Sequence, residues 1–209
     1  MGCGGDDPAR HDSLAGKGVY PPRWAFMLLF PLRKLIFSPA TLIRRLELLD
    51  GMKVLEVGPG PGYFSVPLAK AMPAGHLVLA DIQPEMLAKA ESRIKQARKR
   101  MLAKDMARVD CHVCDGLSFP FEDDEFDRIV LVAVLGEVAE RERYLLEFRR
   151  MLKPSGLVSV TELAGDPDRL SAEDINDLAS RAGLIEARRF PGRLNCTVNL
   201  RPSGHRGYG

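Results

Sequence analysis

The stretch Val54-Leu55-Glu56-Val57-Gly58-Pro59-Gly60-Pro61-Gly62-Tyr63-Phe64-Ser65 constrains the fold of this chain more than any other. A short apolar run, Lys53 to Val57, meets a cluster of glycines, and a helical pattern follows from about Gly62 to Met72. A strand feeding a helix through a glycine-rich turn points to α/β layering, because parallel strands need a crossover before they can pair. The remainder continues the alternation. His76 to Ala80 predicts a second strand, closed by Asp81, and Gln83-Pro84-Glu85 opens a long helix to about Arg100, with proline in its first turn. Ala107 to Cys114, Phe126 to Val132 and Leu157 to Glu162 predict further strands, the 126–132 run apolar enough for burial on both faces. Arg141 to Leu152 predicts a helix stopped by Lys153-Pro154-Ser155-Gly156. Ser171-Ala172-Glu173-Asp174 has a capping-box pattern for another helix, ended by Gly183. Leu184 to Phe190 and Leu194 to Leu200 suit a closing antiparallel hairpin. The expected fold is therefore α/β, a doubly wound, mostly parallel sheet with helices on both faces.

A chain of 209 residues allows one such domain and an appendage. The net charge of +2 is too small to argue by itself for nucleic acid or membrane. Cys3, Cys111, Cys114 and Cys196 are too scattered for a disulfide framework, so a reducing cytoplasm is the expected compartment. The first residues lack the apolar stretch of a secretory signal, and Asp6 stands where N-myristoylation wants a hydroxyl. The run Trp24 to Phe37 is shorter than the roughly 20 residues of a spanning helix and is broken by Pro31, Arg33 and Lys34. Integral membrane insertion is thus not expected. The partition is a leader and lid over 1–50, a core over 51–203 and a tail over 204–209. The lid, a substrate wall over the carboxyl ends of the strands, would use Trp24, Phe26, Phe30 and Phe37. Two alternatives stay open: peripheral membrane contact through 24–37, flanked by Arg23, Arg33, Lys34, Arg44 and Arg45, and a helix packed on the sheet for stability alone.

The glycine loop brings backbone N–H groups close to a ligand. It reads G-x-G-x-G rather than the dinucleotide pattern G-x-G-x-x-G, and Glu56 stands two residues ahead of it. A carboxylate there suits a ligand with an ammonium group and would be an odd neighbour for a pyrophosphate. Asp81, about twenty residues on, sits where doubly wound folds place the acceptor for two ribose hydroxyls, with Ile82 against a base. Asp115, in Cys114-Asp115-Gly116, could accept from an exocyclic amine while the Gly116 N–H meets a ring nitrogen; Asp-Gly turns are also common without a ligand.

Taken together, Glu56 to Gly62, Asp81-Ile82, Asp115 to Phe121, Phe126-Asp127 and Leu152 to Gly156 resemble, in order and spacing, the class I S-adenosylmethionine (SAM)-dependent methyltransferases. The likeness spans about residues 51–185 and is greatest to the small-molecule branch with the ubiquinone and menaquinone biosynthetic C-methyltransferases. It implies a Rossmann-like, seven-stranded sheet ending in the hairpin, and S-adenosyl-L-methionine as cofactor. It also implies that Glu56 with Gly58, Gly60 and Gly62 hold the methionine part, Asp81 the ribose and Asp115 the adenine; the lid reading adds Tyr20 of the arm near the SAM carboxylate. The acceptor is then a small molecule, with hydrophobic ones among those expected. Val134-Leu135-Gly136-Glu137 replaces the Asn-Pro-Pro-Tyr signature of base-modifying enzymes, so nucleic acid is not the expected partner. The alternative is a SAM-binding partner or sensor without turnover. Glu137, Tyr63 and Glu162 are the candidates for a catalytic group. Cys111 and Cys114 lie three apart in a strand and point to opposite faces, so no metal site is expected from them. Arg93, Lys95, Arg98, Lys99 and Arg100 read as a solvated helix face.

Overall fold

The computed structural model describes residues 37–100, 102 and 105–204. Among these residues five α-helices and seven strands follow one another as α1 (Pro39–Leu46), β1 (Lys53–Val57), α2 (Ser65–Ala71), β2 (His76–Asp81), α3 (Pro84–Arg98), β3 (Arg108–Val113), β4 (Phe126–Val132), α4 (Arg141–Met151), β5 (Leu152–Leu163), α5 (Ala172–Arg181), β6 (Leu184–Phe190) and β7 (Asn195–Pro202). The strands form one sheet in the order β3-β2-β1-β4-β5-β7-β6. β1 is parallel to β2 and β4, and only β7 runs antiparallel, to β5 and β6. The sequence therefore yields the mostly parallel sheet and the closing hairpin expected of it. The strand order reverses between β1 and β4, where a doubly wound sheet opens a crevice at its carboxyl edge.

Burial on both faces explains the continuous apolar runs. Val54, Leu77, Leu79 and Val130 meet Leu42 of α1, Leu68 of α2 and Leu87 of α3. Leu55, Val78, Ile129 and Val158 point the other way, to Phe148 of α4 and Ile175 of α5. The α5 capping box forms as read: Ser171 Oγ accepts from the Asp174 N–H, and Asp174 accepts from Ser171 N–H. β5 begins earlier than the expected Leu157, because Leu152 already pairs with Phe126 before a register shift. Lys153 at that shift donates to both oxygens of Asp127, at 2.9 Å each.

In the segment expected as leader and lid, α1 packs on the face of the sheet beside α2, with Phe37, Leu42 and Leu46 in the core. The remainder of the proposed lid, including Tyr20 and Trp24 to residue 36, lies outside the described residues. β4 is also not purely apolar inside: Arg128 is 7% exposed. Its burial has a cause in α1. A helix leaves its last carbonyls without partners, and Arg128 Nε donates to Leu46 O (2.7 Å) while Nη2 donates to Glu47 O (3.1 Å). Asn199 of β7 donates to Arg45 O (2.7 Å), and Arg45 itself donates to Asn195 Oδ1 and Thr197 Oγ1. The cation at the negative end of the helix is favourable as well. No helix among the described residues is long and apolar enough to cross a membrane.

Removing the guanidinium takes the donor from the buried Leu46 carbonyl and from the half-buried bond to the Glu47 carbonyl. Arg128→Ala should lower the unfolding free energy by about 3 kcal/mol, measured by urea denaturation. A loss below about 0.5 kcal/mol, the level of an ordinary surface change, would contradict this account of α1.

Candidate functional site

The cleft opens where β1 and β4 diverge and has a volume of about 390 Å³. Its floor comes from the carboxyl ends of the strands, so the sheet register decides which residues face it. Glu56, Gly58, Gly60, Asp81, Ile82, Tyr63 and Glu137 of the expected site all line it.

Glu56, at the tip of β1, is 5% exposed, and its Oε2 has no hydrogen-bond partner. Burial pushes its carboxyl up to about 7; the Ser65 hydroxyl opposes this and the nearby Asp81 adds to it. Such a group is held ready to ionise against a cation, because an opposite charge lowers a carboxyl pKa. Asp81 ends β2. Burial raises its carboxyl too, against backbone N–H groups at Gln83, Gly60 and Ile82, and the Gln83 N–H donates to its Oδ1 at 2.9 Å. Asp81 thus steadies the start of α3 while lining the cleft.

The glycine loop divides its work. Gly58 turns at φ 64°, and a Cβ there would lie 2.6 Å from Val134 Cγ2, so only glycine lets the loop pass under the segment after β4. Gly60 also takes a positive φ, 53°. Gly62 faces away from the cleft: a Cβ on it would meet Ala90 Cα of α3 at 2.9 Å, which makes it a helix-packing position.

Asp115 is exposed and is not part of the cleft wall. Its Oδ1 accepts from the N–H groups of Leu117 (2.8 Å) and Ser118 (2.9 Å), which hold its carboxyl below the usual range. It serves its own turn. Gly116 is nearer the cleft, with its Cβ direction toward Ile82 Cγ2 (3.2 Å) and Tyr144 Oη (3.8 Å). Glu162 is fully buried on β5, also off the cleft wall, with neither carboxylate oxygen hydrogen-bonded. Tyr63 is buried and packs edge-on to Phe64.

Sequence reasoning missed Tyr144, Cys114, Met86 and Asp166, all on the cleft wall. Tyr144 and Met86 read as ordinary core positions of amphipathic helices, and no local signal separates them. Cys111 is exposed and Cys114 buried, the divergence their spacing predicts.

Burial pushes the Glu162 carboxyl up to about 8. A carboxyl raised on folding favours the native state at low pH, and that stability is lost as pH rises from about 4.5 through about 8. Glu162→Gln should therefore gain in melting temperature relative to wild type as pH climbs across that window. A difference that stays constant with pH would contradict the buried ionisation.

Comparison with known proteins agrees with this geometry. Residues 55–160 match the family model of a methyltransferase domain. The ubiquinone/menaquinone biosynthesis C-methyltransferase UbiE of Bordetella avium is 35% identical over 123 residues, 58% of this chain and 45% of that protein. Its counterpart from Cupriavidus necator is 34% identical over 115 residues, 54% of this chain and 44% of that protein. The match thus spans under half the length of these relatives. A SAM-dependent methyltransferase from Aquifex aeolicus superposes with a TM-score of 0.78 at 22% identity, covering 87% of this chain and 98% of that one, which shows a shared fold. With half of its length matched to the methyltransferase domain and a seven-stranded sheet of the same architecture, the chain belongs to the class I SAM-dependent methyltransferase family, whose cofactor is S-adenosyl-L-methionine.

Proposed function

We propose that this protein transfers the methyl group of SAM to a small acceptor with an apolar body, both held in the cleft between β1 and β4. The observation that carries the reading is Glu56, a carboxylate buried at the strand tip with one oxygen lacking a partner. An α-ammonium would supply that partner. Asp81 suits the ribose hydroxyls, and Ile82, 43% exposed over the cleft, gives an apolar surface for the adenine. For the adenine edge the candidates are Asp115, whose Oδ1 also accepts from the Leu117 and Ser118 N–H groups, and Gly116 beside Ile82.

When bound, SAM supplies an electrophilic methyl group on a sulfonium. The protein then has to exclude water and align the acceptor, and orientation of that kind is worth roughly 7–11 kcal/mol of the barrier. Val134, Val138 and Leu163 give the acceptor side an apolar wall. A quinone-type ring, as in the name of the UbiE relatives, is one molecule of this kind. The second reading is a SAM-binding protein without methyl transfer. A neighbour of the same fold, TM-score 0.64 and 26% identical over 76% of this chain and 60% of that one, bears the name [4+2]-cyclase SpnF.

Asp81→Ala should weaken SAM and S-adenosylhomocysteine binding by roughly tenfold or more, since buried hydroxyls lose their acceptor, with the melting curve still cooperative. Calorimetric affinity unchanged in that variant would contradict the ribose assignment. Formation of S-adenosylhomocysteine with an added acceptor, abolished by the bulky Gly60→Val, is the outcome that separates an enzyme from a sensor.

A further inference from the structure

We propose that Tyr144 is a binding residue for the base of the cofactor: its hydroxyl pairs with the polar edge of the adenine and makes the cleft selective for that base. This rests on the reading of the cleft as a SAM site with the adenine over Ile82. It adds a residue from α4, a helix that carries none of the glycine or aspartate motifs.

Tyr144 stands near the start of α4, where its N–H donates to Glu140 O at 3.0 Å. Its ring is buried, edge-on to Phe119 (centroids 5.2 Å apart, planes at 71°) and to Phe148 (5.4 Å, 70°). Phe119 is itself fixed through its backbone. Arg150 Nη2 donates to its carbonyl at 3.2 Å, and its N–H donates to Glu147 Oε2 at 3.4 Å. The tyrosine ring therefore has little freedom to turn. Tyr144 nevertheless lines the cleft, and its hydroxyl is the end that comes up to Gly116. The point a Cβ would take on Gly116 lies 3.2 Å from Ile82 Cγ2 and 3.8 Å from Tyr144 Oη. An apolar side chain and a hydroxyl thus converge on the base end of the cleft.

Packing gives no reason for that hydroxyl. The other buried residues of α4, Leu145, Phe148 and Met151, are apolar, and a phenylalanine ring would make the same edge contacts. No described protein group hydrogen-bonds the Tyr144 hydroxyl, and a hydroxyl shut away from water without a partner costs stability. Polar side chains nearby are engaged elsewhere: Asp115 Oδ1 by its own turn, Glu147 by Arg150. Burial, reinforced by Cys114, Asp81 and Asp115, pushes the phenol further above its ordinary range, so it keeps its proton at neutral pH. A neutral hydroxyl both donates and accepts, which suits a purine edge where an amine adjoins ring nitrogens. An apolar slot separates rings of one shape poorly, whereas a site with a buried polar group rejects the ring that cannot pair with it.

Calorimetry on the full chain tests this with two ligands, S-adenosylhomocysteine and its analogue with indole in place of adenine, which keeps the two-ring shape without the polar edge. Wild-type protein should prefer S-adenosylhomocysteine, and Tyr144→Phe should cut that preference roughly three- to tenfold, as expected for one neutral hydrogen bond. The free variant should melt close to wild type, because the ring contacts remain. A merely structural hydroxyl would weaken both ligands alike. A preference unchanged in the variant, or a free variant that no longer unfolds cooperatively, would overturn the proposal. Failure of S-adenosylhomocysteine to bind the wild-type protein would instead sink the reading of the cleft on which it rests.

Discussion

A carboxylate buried at the end of a central strand, with an oxygen that nothing in the protein satisfies, sets the terms for the rest of this molecule. Desolvating an ionised group is expensive, and proteins respond by pairing it or by keeping it neutral. Glu56 is placed there by the register of β1 between β2 and β4, and the loop that follows must turn away at once to leave room above it. Gly58 makes that turn possible, Gly62 lets α3 close in behind, and Asp81 from the neighbouring strand faces the same space. The helices on either face hold this edge in register. The cleft is thus a consequence of strand order, with polar groups exposed to it only where the sheet ends.

The helix α1 shows the same economy on the opposite side of the argument about burial. Arg128 enters the core because the carbonyls at the end of α1 need donors, and the long side chain reaches them from β4. Arg45, running back from α1, meets Asn195 and Thr197 and stacks its guanidinium on the rings of Phe37 and Phe190. α1 is therefore tied to three strands. Since Phe37 also packs against Phe64 of the cleft, the point at which the preceding chain enters the described structure lies beside the site.

Much of this was legible in the sequence because its signals are local. The turn after β1, the acid ending β2, the proline opening α3 and the Ser171 capping box each depend on residues a few positions apart, and each appears where expected. Other features depend on which segments cross in space. Nothing local announces that Arg128 faces a helix end, that Tyr144 and Met86 reach the cleft, or that Phe37, Leu42 and Leu46 join the core. Asp115 is an instructive middle case. An aspartate before glycine can reach for a ligand or cap its own turn, and the sequence alone left the two open; the distances to Leu117 and Ser118 favour the turn. Glu162 was a fair candidate by position, but the alternation of β5 turns it beneath the loops and away from the cleft wall.

The central claim is that Glu56 meets the cation of the cofactor. Its carboxyl stands at about 7 without a ligand, so it is mostly protonated at about pH 6, and pairing with an ammonium must expel that proton. Calorimetry of S-adenosylhomocysteine binding in buffers of different ionisation enthalpy counts protons directly. The account predicts release of close to one proton per site from the wild-type protein at about pH 6, and a correspondingly smaller release from Glu56→Gln. Binding without proton release, or the same release from both proteins, would contradict it.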